Sequence, residues 1–379
     1  MQIARKQFFI ISCVFELIIA AMLLYNYGYV STERMRKVLN NRSITTVVAP
    51  LTNQTGLVPG LSAALLSMFA PLPPEAISAQ YPMTTELINL GRTLYYDPRL
   101  SINQKLSCNS CHPLDHYGMD SLPTSLGHDG KPVKRNAQTV YNAAFHIAQF
   151  WDGRSPTVEE QAKGPMLSAT EMGMQKADRV VRVLQSIPGY MPLFATAFPN
   201  DPNPITLDHT AQAIGTFERR LVTPSRFDRF LAGERSQLTV DEQRGLATFI
   251  SVGCNSCHMG APVGGLLYKK LGEVKPYNTQ DLGRFAITGD EQDKYVFKVQ
   301  SLRNIAKTAP YLHDGSIQTL AEMVIIMARH QLGKELVQSQ VEDIVTFLNT
   351  LTGDLPSDYI APPPLPQSGP NTLLSYQIN

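Results

Sequence analysis

The stretches "LSCNSCHPLD" (106–115) and "VGCNSCHMGA" (252–261) carry the same pentapeptide, CNSCH, twice in one chain. A C-x-x-C-H pentapeptide is the attachment signature of haem c: two thiols add to the porphyrin vinyl groups, and the adjoining histidine takes the iron. Cys108, Cys111 and His112 form the first set; Cys254, Cys257 and His258 form the second. Paired C-x-x-C motifs also build four-cysteine zinc sites, but their halves normally lie about 15–20 residues apart. Cys111 and Cys254 are separated by well over a hundred positions. Neither zinc binding nor thiol exchange calls for a histidine directly after each second cysteine. The fifth cysteine, Cys13, lies in an apolar N-terminal run, so no thiol is left for a disulfide in the soluble part. Two covalent haems are therefore expected, one in each half of the chain.

The N-terminus indicates where the chain goes. Arg5 and Lys6 precede an apolar run from Phe8 to Val30, broken only by Glu16, and charge returns at "STERMRK" (31–37). The run exceeds the 7–15 residues of a cleavable signal core and shows no A-x-A site. An uncleaved membrane anchor over 1–40 is expected, with its basic end inside. Attachment of haem c in bacteria takes place outside the cytoplasmic membrane, which fits a periplasmic protein tethered to the inner membrane. Residues 41–80 have several Pro and Gly and no sustained period, and read as a linker. A formal net charge of +1 and 17% charged residues give no basic surface for nucleic acid.

Helical signals dominate the rest of the chain. In "LTVDEQRGLATFISVG" (238–253), Thr239 and Glu242 make a capping box, Leu246, Phe249 and Ile250 share a face, and Gly253 stops the helix just before Cys254. "SQVEDIVTFLNTLTG" (339–353) repeats the device, with Ser339 and Glu342 as the cap and Val341, Ile344, Val345, Leu348 and Leu351 as the stripe, closed by Gly353. Strand-like alternation is scarce. The expected fold is mostly α: two cytochrome c-like haem domains in tandem, 81–225 and 226–355, related by duplication, with a Pro-rich tail over 356–379 lying extended on the surface.

An iron held by one histidine has a second axial position, and its occupant decides between electron transfer and peroxide chemistry. Beyond His112 and His258, the histidines are His116, His128, His146, His209, His313 and His330. His116 lies too near His112 to cross the porphyrin. His128 sits in "PTSLGHDGKP", between Gly127 and Gly130, on a loop able to reach over an iron and to let go. Met259 is tied to the proximal side, whereas Met323 and Met327 lie one helical turn apart in "TLAEMVIIMARHQLG". Spacing leaves these candidates open.

The chain resembles the bacterial dihaem cytochrome c peroxidases over essentially all of 85–355. The blocks that carry the resemblance are "GRTLYYDPRLS", "PTSLGH", "RNAQTVYNAAF", "QFWDGRSPTVEEQAKGPM", "EMGM", "GRFAITG", "LRNIAKTAPYLHDGS" and "IIMARHQLG", in order around the two CNSCH motifs. It implies His112 proximal and His128 distal on an N-terminal, low-potential haem where peroxide is cleaved. It implies His258 proximal and Met327 distal on a C-terminal, high-potential haem that receives electrons. Trp151, the single tryptophan, matches the residue between the haems, and Gln161 and Glu171 match the pair framing the peroxide pocket. Asn136, Thr308 and Pro310 match a calcium site at the domain boundary. The implied partners are hydrogen peroxide, a small electron donor such as a cytochrome c or cupredoxin, and a second copy of the chain in a homodimer.

Elementary chemistry agrees with these roles. Peroxide cleavage needs a proton moved from one oxygen to the other, which a carboxyl group such as Glu171 can do and the Gln161 amide cannot. Without the resemblance, Glu171 reads as a surface carboxylate and Trp151 as a core aromatic. Three rivals share the motifs. A dihaem enzyme that matures a tryptophan-derived quinone has Tyr where this chain has Met327; a triple-haem quinol peroxidase carries a further C-x-x-C-H, which is missing here. A pure dihaem electron carrier would have no use for Glu171.

Overall fold

The computed structural model describes residues 56–378. The expected anchor over 1–40 and the first part of the expected linker lie outside the described residues. Among the described residues no helix is long and apolar enough to cross a membrane.

The elements are overwhelmingly helical. They run α1 (Ala63–Leu66), α2 (Thr85–Tyr96), α3 (Cys108–Cys111), α4 (Val158–Leu167), α5 (Ala177–Gln185), α6 (Tyr190–Ala197), α7 (Leu207–Glu218), α8 (Arg226–Leu231) and α9 (Val240–Val252). After these come β1 (Tyr268–Lys270), α10 (Phe285–Thr288), β2 (Val296–Lys298), α11 (Leu320–Leu332), α12 (Gln338–Asn349) and α13 (Ser357–Ile360). The two short strands pair antiparallel, Tyr268 opposite Lys298.

Two apolar cores form. The first gathers Leu90, Leu94, Tyr95, Met166, Val183, Phe194 and Phe217 from α2 and α4–α7. The second gathers Phe227, Phe230, Leu246, Phe249, Ile344, Phe347 and Leu348 from α8, α9 and α12. Each centres on the helix that precedes a CNSCH motif, packed against a later helix: α2 on α7, and α9 on α12. The backbones approach so closely that a Cβ on Gly91 would lie 1.9 Å from the Ala213 carbonyl oxygen, and one on Gly245 2.1 Å from that of Asp343. Glycine is the residue that permits such contact.

Several expectations are refined. The cap of α9 is as expected: the Thr239 hydroxyl accepts from Glu242 N, the Glu242 carboxylate accepts from Thr239 N, and Gly253 ends the helix at φ +102°. The second helix instead begins at Gln338, where the Gln340 side chain accepts from Val337 N, leaving Ser339 inside the first turn. Gly353 is no helix stop but a close-approach site, since a Cβ there would meet the Thr223 carbonyl oxygen at 2.1 Å. The linker reading fails from residue 61 onward, because Leu61, Leu66 and Phe69 are buried in the second core. The tail, expected to lie extended on the surface, opens with the short α13 and buries Ile360 and Ile378 in the first core.

A repeat emerges with an offset of 162 positions (142 to 304, 151 to 313). Asn142 and Asn304 both adopt left-handed backbone, at φ 61° and 62°. Each opens a 3-10 turn, and each donates its side-chain amide to Thr223 Oγ1 at 2.8 Å. Thr157 and Thr319 cap α4 and α11 in the same way. Asn136 N donates to the His313 carbonyl and Lys298 N to the Trp151 carbonyl, both at 2.8 Å. Gln138 and Gln300, also equivalent, hydrogen-bond to each other. The duplication is thus visible as a pseudo-twofold arrangement about the meeting of the two halves.

Candidate functional site

Two cavities flank this junction. The first, about 370 Å³, is lined by Cys108, Cys111, His112, Gln161, Glu171 and Trp151. The second, about 220 Å³, is lined by Cys254, Cys257, His258, Met323 and Met327, and again by Trp151. The four described cysteines form no disulfide. Burial raises the Cys108 and Cys111 thiols and pushes Cys254 up to about 12, so these sulfurs are thiols before attachment. Burial also lowers His112 despite its hydrogen bond to Gly118 and drives His258 down to about 4. Both imidazoles are therefore neutral, the form that ligates a metal. Two thiols and one neutral imidazole converge in each cavity, which is the donor set that haem c needs.

Local structure explains the placement. The α3 turn carries Cys108 and Cys111, and the Tyr95 hydroxyl at the end of α2 donates to the His112 carbonyl at 2.8 Å. In the second half, α9 delivers Cys254 directly after its Gly253 cap. Helix α11 presents Met323 and Met327 one turn apart to the second cavity. Geometry alone does not choose between them.

Glu171 and Gln161 enter the first cavity from opposite ends of the α4 region. Burial raises the Glu171 carboxyl above its usual range, opposed by nearby Arg154. Such a group holds a proton more readily than an exposed glutamate. Trp151 forms a wall common to both cavities; its Nε1 donates to the Asn136 carbonyl at 2.9 Å, and its ring meets Phe297 and His313 edge-on. Asn136, Thr308 and Pro310 all line the second cavity. They offer neutral oxygens, and among the described residues no cluster of His, Cys, Asp or Glu adds to them.

His128 is placed differently from its expected position. Its Nε2 bonds the Ala169 carbonyl at 3.0 Å, its ring packs on Gly173, and it does not line the first cavity. Its loop is fastened by His128 N to the Glu171 carbonyl, 2.8 Å, and by Asn103 Nδ2 to the His128 carbonyl, 2.7 Å. His146, by contrast, lies half-buried in that cavity's wall. The Lys298 ammonium lies 3.2 Å from His146 Nδ1. While the Lys298 amine is protonated it can only donate, and Nδ1 is then the acceptor. Lys298 and His146 are residues that sequence reasoning did not single out as a pair. Glu218, another wall residue of the first cavity, is pushed up to about 8 by burial and by Glu159.

Fold and site together define a two-centre haem c protein with an ionisable pocket at one centre. The chain belongs to the di-haem cytochrome c peroxidase family, whose model matches residues 85–236. It is 42% identical to the cytochrome c551 peroxidase of Pseudomonas aeruginosa, over 76% of this chain and 86% of that protein. The cytochrome c551 peroxidase of Nitrosomonas europaea is likewise 42% identical, over 82% and 95%. Among solved structures, a MauG-like protein associated with microbial copper homeostasis superposes with a TM-score of 0.69 at 30% identity, covering 77% of this chain and 97% of that one.

Proposed function

We propose that this protein reduces hydrogen peroxide to two waters, consuming two electrons and two protons, with peroxide bound in the first cavity and electrons entering through the second. The observation that carries the reading is the shared Trp151 wall between two cavities, of which only the first contains Glu171. Bound haem c would supply the redox centres, held by Cys108, Cys111 and His112 and by Cys254, Cys257, His258 and Met327. Glu171 takes a proton from the near peroxide oxygen and returns it to the far one, while the Gln161 amide orients the molecule. Trp151 offers a polarisable path between the centres. The electrons come from a small donor such as a cytochrome c or cupredoxin, in the periplasm.

His128 acts as a gate in this reading. In this reading the imidazole bonded to Ala169 is in its released position, on a loop that His128 N fastens to the Glu171 carbonyl. Calcium held by Asn136, Thr308 and Pro310 would bias the same equilibrium by binding one arrangement better. His128→Gly tests the gate: the oxidised variant should be high-spin at the first haem and consume peroxide without prior reduction. A low-spin oxidised variant would remove His128 from the role.

A further inference from the structure

Lys298, the last residue of β2, is 2% exposed and lines both cavities. Among the described residues its ammonium meets no carboxylate, and its polar side-chain neighbour is His146 Nδ1. Burial with no compensating charge pushes Lys298 down to about 7. His146 Nε2 is buried without a hydrogen-bond partner. The wall of the first cavity thus holds an ammonium whose one polar side-chain neighbour is a neutral ring nitrogen, and a ring nitrogen, His146 Nε2, with no partner from the protein. Buried polar groups are almost always paired and buried charges compensated in folded proteins, so a partner for Nε2 and a counter-charge for the ammonium come with whatever fills the cavity.

The repeat adds a second observation. Lys298 and His146 stand at the positions equivalent, by the 162-residue offset, to Asn136 and Thr308. The carbonyl of Trp151 accepts from Lys298 N just as that of His313 accepts from Asn136 N. Where one face of the pseudo-twofold offers neutral oxygens, the other supplies an ammonium.

We propose that Lys298, steadied by His146, receives a propionate carboxylate of bound haem, is held as an ammonium by that pairing, and raises the reduction potential of both haems. This rests on the haem reading of the two cavities. It makes Lys298 a positioning residue, with an electrostatic reach that a packing role would lack. Local net charge and hydrogen bonding set haem potentials, so a cation lining both cavities favours the reduced state of each.

The test uses haem-loaded full-length protein. Haem content and peroxide turnover of the unaltered protein are measured first, so that failure of the functional reading is seen separately. Both midpoint potentials are then determined by optical redox titration for the wild type, Lys298→Met and Lys298→Arg. The expected result is two haems per chain in each, both potentials lowered in Lys298→Met, and both close to wild type in Lys298→Arg. Failure of Lys298→Met to load haem while Lys298→Arg loads normally would support the charge requirement as well. Unchanged potentials in Lys298→Met, a shift at one haem alone, or loss of haem loading in Lys298→Arg would each overturn the proposal.

Discussion

At the level of single residues, chemistry is legible wherever it demands an unusual residue combination. Cysteine pairs followed by histidine announce themselves, and the structure brings each set into one cavity with its imidazole half-buried and neutral. Glu171 is different: nothing local distinguishes it from a surface glutamate until burial in the first cavity raises its carboxyl. Replacing it by glutamine should keep both haem spectra and peroxide binding, while turnover drops roughly 10²–10⁴-fold, the usual worth of a general acid–base group. Steady-state peroxide consumption at saturating donor measures this, and near-normal turnover would dismiss the residue. Met327 and Met323 face the same cavity, so ligation must be separated by substitution. Met327→His should lower the upper midpoint potential, since thioether ligation favours ferrous iron relative to imidazole. An unchanged upper potential would point to Met323. Lys298 and His146 escape sequence reading because neither residue type is diagnostic alone, and they lie 152 positions apart.

Among elements, helices with strong local punctuation are readable and those shaped by tertiary contact are not. The Thr239 and Glu242 cap and the Gly253 stop of α9 are local hydrogen-bond chemistry, visible in any four-residue window. Thr239→Ala should cost about 1 kcal/mol in a denaturant titration monitored by far-ultraviolet dichroism. Glu242 also pairs with Arg226, so that loss leaves the helix anchored by its second contact. The start of α12 misleads because Ser339 and Glu342 match a cap pattern that Gln340 satisfies two residues earlier. Gly353 misleads because its need is contact with Thr223, far away in sequence. Close approach of the paired helices makes a sharper test: Gly245→Ala should lower the midpoint of unfolding by the equivalent of about 1–3 kcal/mol, the range for overpacking. A neutral result would mean that α9 and α12 can separate without loss.

On the scale of the whole molecule, the junction between the two repeats is where charge and the two cavities meet. Arg135 joins Asp152 and Asp281 there at 2.6 Å each, and holds Asp281 down to about 2. A carboxylate with a depressed folded pKa contributes stability above its unfolded value of about 3.9 and loses it as pH falls through its folded one. Unfolding free energy should therefore drop between about pH 4 and pH 2, and Asp281→Asn should remove part of that slope in urea titrations across the same window. The pseudo-twofold behind this junction is hard to read in the sequence because, outside the CNSCH pentapeptides, repetition survives at scattered positions such as Asn142 and Asn304, while much of the cavity walls has diverged. Divergence is what lets one centre bear Glu171 and the other Met327. The central claim is that these two unlike centres work as one peroxidase. It is tested most directly by mixing peroxide with holoprotein poised at one electron per chain and following peroxide loss together with reoxidation. The account expects peroxide to be consumed in proportion to protein, with rapid turnover once donor is added. Half-reduced protein that carries two haems yet leaves peroxide untouched would contradict it and make the chain an electron carrier.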